Sequence, residues 1–171
     1  MASSEIKKGQ NSFLNFSLKR EILKAIKDLH FINPTPIQEN VIPFLIKSKQ
    51  DLIGTAQTGT GKTAAFGLPS LSLTNIENTK TQTLVLCPTR ELCIQISKDL
   101  KNYSKYIKGI NIVPIYGGAK IDVQMRALKK GAQIVVGTPG RTKDLIKRKK
   151  LSIEFIDRVI LDEADEMLSM G

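Results

Sequence analysis

Hydrophobic positions along the chain follow two periods, and the change from one to the other predicts the fold. In 18–29 and 36–45, apolar residues recur every three or four positions, as in helices that bury one face. After residue 81 they form short runs of valine, isoleucine and leucine, which are typical of strands covered on both faces. We predict strands at 83–87, 110–116, 133–136 and 158–161, and helices at 62–73, 91–106, 122–130 and 141–148.

The first helices also carry boundary signals. The helix at 18–29 must end before the segment 30–34, because a residue that precedes proline avoids helical angles. Thr35 is then suited to cap a second helix that begins at Pro36. Because strands and helices alternate along the rest of the chain, we predict an α/β fold, a parallel sheet with helices on both faces.

Residues suited to chemistry gather at the carboxyl ends of the predicted strands, where ligands of parallel sheets bind. One such end is the apolar pair Leu52-Ile53, predicted as a further strand, which leads into the sequence AQTGTGKT and a helix. Gly59 and Gly61 can adopt backbone angles that turn main-chain N–H groups toward anionic oxygens. Such a loop at a helix N-terminus is a binding site for phosphate groups.

The same edge supplies the groups that a magnesium triphosphate requires. Lys62 brings a full positive charge to the outer phosphates, and the Thr63 hydroxyl can ligate Mg²⁺. Asp162 directly follows the apolar run 159–161 and is placed to hold the metal, while Glu163 is placed to position water for hydrolysis. An acidic cluster at a helix start is more often only a cap, but together with a phosphate loop it favours a nucleotide site.

Composition and charge limit the classes of protein to which the chain can belong. The 171 residues carry a formal net charge of +10, which favours a polyanionic partner, although solubility alone could account for it. The chain has no secretory signal and no apolar run of the roughly 20 residues that a membrane helix requires, so we expect a cytoplasmic protein without a membrane partner. Cys87 and Cys93 are interpreted as reduced packing residues. We expect a flexible leader at 1–12 and one domain at 13–171.

Residues 162–165 spell DEAD, and from residue 13 to residue 171 the chain resembles the N-terminal RecA-like domain of DEAD-box RNA helicases. Six motifs match in order, and the sequences around YGG and VVGTPGR are most similar to those of bacterial cold-shock members. The resemblance implies a RecA-like P-loop NTPase fold and ATP-dependent unwinding or remodelling of RNA duplexes. His30 departs from the family, in which glycine is usual before Phe31.

The resemblance also implies a role for each matching residue. Gln38 presents a donor and an acceptor that fit adenine and reject guanine. Mg²⁺ would be held by Thr63 and, through a water molecule, by Asp162, and Asp165 would couple the nucleotide and RNA sites. The implied ATP-binding residues are Phe13, Phe31, Gln38, Ala56, Thr58, Gly59, Thr60, Gly61, Lys62 and Thr63. The implied contacts to the RNA backbone, which read no base sequence, are Pro88, Thr89, Arg90, Gly117, Gly118, Thr138, Pro139, Gly140 and Arg141.

Three functions remain open on the sequence: an ATP-dependent RNA helicase, an RNA-binding module with little catalysis, and a P-loop ATPase that acts on protein or DNA. The adenine-type and RNA-type motifs speak against the third. The basic segment 141–150 either extends the RNA path or is a solvated charged face. The chain stops before the family's Ser-Ala-Thr motif and its second RecA-like domain, the expected missing partner. We therefore expect these residues to be marginally stable, to bind ATP, to turn it over slowly and to unwind no duplex.

Overall fold

A computed structural model describes residues 12–57 and 59–169. Most of the predicted leader and Thr58 lie outside the described residues. The chain starts with a short 3-10 helix, Ser12–Phe16. The helices that follow are α1 (Arg20–Asp28), α2 (Pro36–Lys47), α3 (Lys62–Leu73), α4 (Arg90–Tyr103), α5 (Ile121–Lys129), α6 (Pro139–Lys147) and α7 (Ala164–Ser169). The strands are β1 (Thr83–Leu86), β2 (Ile112–Ile115), β3 (Ile134–Gly137) and β4 (Arg158–Leu161).

The strands form one parallel sheet in the order β2-β3-β1-β4, which confirms the predicted α/β class. Thr83 of β1 is paired with Ile134 on one side and with Arg158 on the other, so β1 is an interior strand. β2 contains Pro114, which has no N–H to donate. This is compatible with its position, because β2 pairs with β3 alone and lies at an edge of the sheet.

Side chains of β1 and β3 alternate between two hydrophobic cores, one on each face of the sheet. Val85 and Ile134 lie in the core that contains residues of α1, α2, α3 and α4. Leu84 and Val135 lie in the core that contains residues of α5 and α6. These two strands are therefore covered on both faces, as their unbroken apolar runs predict. Cys87 is buried as a free thiol in the first core.

Two predictions about the sheet are wrong. Val159 and Leu161 of β4 are 60% and 56% exposed, since within the described range no helix covers this face of the edge strand. The pair Leu52-Ile53 forms no strand, and Ile53 is 95% exposed. A strand needs a neighbouring strand for its backbone hydrogen bonds. The edge strands of the described sheet are β2 and β4, and neither of them pairs with Leu52-Ile53. The phosphate-loop region is therefore preceded by an irregular segment.

Within residues 12–57 and 59–169, no helix combines the length and apolar character that crossing a lipid bilayer would require.

α1 ends in a turn that normally contains glycine. The N–H of His30 donates to the carbonyl of Lys27 (3.0 Å), and the N–H of Phe31 donates to the carbonyl of Ile26 (3.0 Å). These two bonds define a Schellman C-cap, in which the residue at the position of His30 takes the left-handed conformation. His30 has a φ of 58°, so the histidine preserves the turn that leads into Phe31 but is strained.

Replacing His30 with glycine is expected to stabilise the fold by about 0.5–1 kcal/mol. Glycine adopts this φ without steric cost, although its greater freedom in the unfolded chain offsets part of the gain. The midpoint of urea unfolding measures the effect. Lys149, with a φ of 56° after the end of α6, is a matched position at which glycine should stabilise similarly. A lower midpoint for His30→Gly than for His30→Ala would contradict the strain argument.

Candidate functional site

The segment between α2 and α3 contains the residues that are predicted to bind phosphate. Gly59 and Gly61 have φ of 80° and 88°, angles that other residues rarely adopt. The Thr60 hydroxyl donates to the carbonyl of Gln57 (2.6 Å). Because α3 begins at Lys62, its first N–H groups and the positive end of its dipole lie at the loop. Three more of the predicted loop residues are half-buried: Ala56, Lys62 and Thr63.

Gln38 joins the start of α2 to this loop. Its Oε1 accepts a hydrogen bond from the N–H of Thr35 (3.0 Å), which is one of the two bonds of a capping box. Its Nε2 donates to the carbonyl of Gly61 (3.1 Å), and a Cβ atom at position 61 would collide with the Gln38 amide. Gln38 is 3% exposed. These two bonds hold the loop against α2, a role that the sequence did not indicate. The Gln38 oxygen can accept a second hydrogen bond and its nitrogen can donate a second one, so this role is compatible with the predicted adenine contact.

Two aromatic residues of the predicted ATP site differ in their access to a ligand. Phe13 is 1% exposed, and its ring centroid lies 5.8 Å from that of Phe16 and 6.1 Å from that of Phe31. Phe31 is half-buried and also packs edge-on against Tyr103. Phe31 therefore remains a predicted contact with the base. Phe13 lies in the first core, where its ring packs against that of Phe31, and its predicted contact with the base stays a prediction.

Asp162 and Lys62 come together although they are distant in sequence. The N–H of Asp162 donates to the carbonyl of Leu86 (2.9 Å), which fixes the residue at the carboxyl end of β4 beside β1. Asp162 is 9% exposed. Burial raises the pKa of Asp162, the nearby Lys62 ammonium opposes this effect, and the Glu163 carboxylate adds to it. Lys62 of the predicted phosphate loop therefore lies near the first residue of the DEAD segment.

Mg²⁺ fits this site together with a nucleotide. Across the described ranges, no cluster of three or more histidine, cysteine, aspartate or glutamate side chains could hold a metal ion by itself. Mg²⁺ usually binds through one or two carboxylates and substrate phosphates, while it keeps several water ligands. Asp162 and Thr63 would supply the protein's part of such a shell.

The start of α7 contains the other predicted acidic residues. Glu163 is half-buried and has a φ of 54°, which is strained for a residue with a side chain. The Glu163 side chain, as acceptor of a hydrogen bond from the protonated Glu166 carboxyl, raises the pKa of Glu166, so these two carboxyl groups lie in contact. Asp165 is exposed. Glu163 is thus half-buried beside Asp162, and its role in positioning water stays a prediction.

Arg90 lies at the carboxyl edge with the two-glycine turn. Its guanidinium lies over the ring of Tyr116, 5.2 Å from the centroid. A Cβ atom at Gly118, which has a φ of 80°, would be 3.5 Å from the same guanidinium. The hydroxyl of Thr89 accepts a hydrogen bond from the N–H of Leu92 (3.2 Å) and caps α4. The residues that follow β1 therefore contact those that follow β2, across the end of β3.

Arg141 fixes the same turn from α6. It donates to the carbonyl of Ala119 (3.3 Å) and to Oε1 of Gln124 (3.0 Å). Gln124, buried on α5, donates in turn to the carbonyl of Tyr116 (3.0 Å). Sequence reasoning missed Gln124, because it looks like any polar residue of an amphipathic helix. Of the other predicted RNA contacts, Pro88 and Thr138 are half-buried, and Gly117, Pro139 and Gly140 are exposed.

Comparison with known proteins gives consistent matches over this chain. Residues 35–171 match the model of the DEAD/DEAH box helicase family. The chain is 49% identical over 162 residues to the ATP-dependent RNA helicase DeaD of Escherichia coli K12, and the match covers 95% of this chain and 26% of that protein. The chain therefore spans about a quarter of the length of this curated relative.

Solved structures share the fold. The crystal structure of a DEAD box protein from the hyperthermophile Methanococcus jannaschii matches with a TM-score of 0.88 and 43% identity, over 93% of this chain and 43% of that one. S. cerevisiae Dbp5 bound to RNA and ADP BeF3 matches with a TM-score of 0.83 and 36% identity, over 93% of this chain and 40% of that one.

Proposed function

Because the chain belongs to the DEAD/DEAH box helicase family, we propose that it is the ATP-binding part of an ATP-dependent RNA helicase. The observation that carries the proposal is the shared edge of the sheet. The phosphate loop with Lys62 and Asp162 lies at the carboxyl ends of the strands, and so does the cluster of Arg90, Gly118 and Arg141. A nucleotide and an RNA strand could therefore be bound by neighbouring loops of one rigid sheet.

In this proposal the loop residues hold the triphosphate. The N–H groups of the loop and of the first turn of α3 bind phosphate oxygens, and Lys62 adds a full charge at the outer phosphates. Phe31 and Gln38 hold the adenine. Glu163 orients the attacking water, and Mg²⁺, when bound with the nucleotide, neutralises charge on the transferred phosphoryl group.

The RNA contacts are proposed to be contacts with the backbone. Arg90 and Arg141 supply positive charge, and Gly117 and Gly140 have open space at their Cβ positions, so a sugar-phosphate strand can approach the main chain closely. Such groups position a strand without reading its base sequence. Asp165, which is exposed at the start of α7, is proposed to couple the two sites.

The complete activity is proposed to involve more than this chain. The curated relative E. coli DeaD is several times longer, and its name describes an ATP-dependent RNA helicase. We propose that a second RecA-like domain supplies further groups that stabilise the transition state and allows duplex unwinding, with the whole protein acting in the cytoplasm. An arginine finger of this kind is typically worth about 10³ to 10⁵ in rate.

Binding of a fluorescent ATP analogue to this chain tests the proposal. We expect Mg²⁺-dependent binding that ATP displaces at least about tenfold better than GTP, because the Gln38 amide matches adenine but meets the O6 of guanine with its own carbonyl. Turnover should be slow, with or without single-stranded RNA. Equal displacement by GTP would reject the adenine site. Retained RNA binding without any nucleotide binding would instead indicate an RNA-binding module.

A further inference from the structure

A cleft at the opposite edge of the sheet concentrates positive charge. It has a volume of about 270 Å³ and lies where the chain enters β1, β3 and β4 from their amino-terminal sides. We call it the lysine cleft. The residues that line it include Lys80, Lys129, Lys130 and Lys150 and the hydroxyl residues Thr79 and Ser152.

The positive charge of the lysine cleft is not neutralised by the fold. No acidic residue is among the described residues that line it. The four lysines are exposed, and the ion pairs that the described residues form involve other basic side chains, namely Lys105, Arg148 and Arg158. Four ammonium groups around one cavity repel one another, so a bound anion would be stabilised there.

Helix ends account for only part of this cluster. α5 ends at Lys129, and α6 ends at Lys147, so the partly negative carbonyl ends of both helices lie at this edge and favour nearby cations. Lys80 and Lys150 belong to neither helix. Lys80 lies in the loop before β1. The positive charge that it adds to the lysine cleft is therefore not explained by stabilisation of a helix terminus.

We propose that the lysine cleft binds the sugar-phosphate backbone of RNA, as a second contact surface separate from the one at the carboxyl edge. Lysine ammonium and serine or threonine hydroxyl groups are donors that proteins use on phosphate oxygens. An acidic peptide is the weaker candidate, because carboxylates are recognised best by the planar fork of arginine, and the lining contains none. The lining also contains no aromatic ring on which a base could stack. The proposal goes beyond the function above, which makes no use of this edge.

The test compares two variants with the same net charge. The cleft variant changes Lys80, Lys129, Lys130 and Lys150 to glutamine. The control variant changes Lys27, Lys47, Lys98 and Lys108, which are also exposed and lie outside the cleft, to glutamine. Binding of a labelled single-stranded RNA is measured by fluorescence anisotropy over a series of salt concentrations without nucleotide, and binding of ATP is measured in parallel.

The cleft variant should bind RNA at least about tenfold more weakly at low salt, and the slope of log affinity against log salt should decrease by about 2 to 3, since each lost phosphate contact removes about 0.7. The control variant should keep most of the affinity and the slope. Equal losses in both variants, or no loss in the cleft variant, would overturn the proposal. Displacement of RNA by polyglutamate as effectively as by unlabelled RNA of equal charge would overturn it in favour of an acidic protein partner. The parallel measurement of ATP binding tests the nucleotide site alone. Loss of ATP binding would contradict the proposed function, whereas the RNA measurements test the lysine cleft.

Discussion

Replacing Lys62 with alanine is expected to weaken the binding of magnesium ATP by about 10- to 100-fold. Hydrogen bonds to charged groups contribute about 1.5–3 kcal/mol, and each 1.4 kcal/mol corresponds to about tenfold in affinity. Lys62 is the cation of the phosphate loop at the first position of α3, and no other residue of the loop offers a full positive charge. The Lys62 ammonium also lowers the pKa of Asp162, so the two predicted ligand-binding residues lie near each other. Calorimetric titration with ATP and Mg²⁺ measures the change.

Lys98→Ala is the matched control for this substitution, because Lys98 is an exposed lysine of α4 that takes part in no predicted contact with a nucleotide. It should leave the affinity for ATP unchanged. The free energy of unfolding should change little in Lys98→Ala. It should fall only slightly in Lys62→Ala, because Lys62 contributes to neither hydrophobic core but interacts favourably with the Asp162 carboxylate. An ATP affinity of Lys62→Ala equal to that of Lys98→Ala would remove the phosphate loop from the site.

Elements that depend on local signals could be predicted closely. The helix expected at 62–73 is α3, Lys62–Leu73, and the strand expected at 158–161 is β4, Arg158–Leu161. α2 begins at Pro36 after Thr35, as the capping pattern predicts. Apolar period, proline position and cap chemistry act within a few residues, so the sequence carries enough information to place these boundaries.

Features that depend on distant parts of the chain could not be predicted in this way. Leu52-Ile53 has the composition of a strand, but a strand exists only where another strand offers hydrogen bonds. The run Val159-Ile160-Leu161 is equally apolar on both sides, yet one of its faces is uncovered. Pattern alone indicates which residues favour an extended chain. It does not show which neighbours are present to complete the sheet.

In the candidate site, too, local features could be predicted and contacts between distant residues could not. Residue types at the carboxyl edge could be identified from the sequence, whereas the bonds from Gln38 to Gly61 and from Arg141 to Gln124 could not. Each of these bonds joins two elements whose relative positions are set by packing. They give two predicted ligand-binding residues a structural role in the unbound protein. Substitutions of Gln38 or Arg141 are therefore expected to alter loop geometry as well as binding.

Asp162→Asn is expected to stabilise the unbound protein at neutral pH. Burial raises the pKa of Asp162, so the folded state holds this proton more tightly than the unfolded state does. The contribution of Asp162 to stability is therefore greatest below the unfolded pKa of aspartate and falls as the pH rises through the raised value. At neutral pH the buried, ionised carboxylate lowers the free energy of unfolding. The asparagine amide removes this charge without changing the size of the side chain. We expect a gain of up to about 1 kcal/mol in the free energy of unfolding, measured in urea without Mg²⁺ or nucleotide.

The same substitution should lower the Mg²⁺-dependent part of ATP binding by at least about tenfold, because an amide holds Mg²⁺ and its water ligands less strongly than a carboxylate does. Affinity for ATP in the absence of Mg²⁺ should not fall, since the repulsion between a carboxylate and the phosphates is also removed. Glu154→Gln, at an exposed position before β4, removes the same charge and should change neither property. A gain in stability together with loss of the Mg²⁺ dependence would indicate that Asp162 is kept ionised for the metal at the expense of the fold. Lower stability with unchanged Mg²⁺ dependence would show that its carboxylate serves the fold instead.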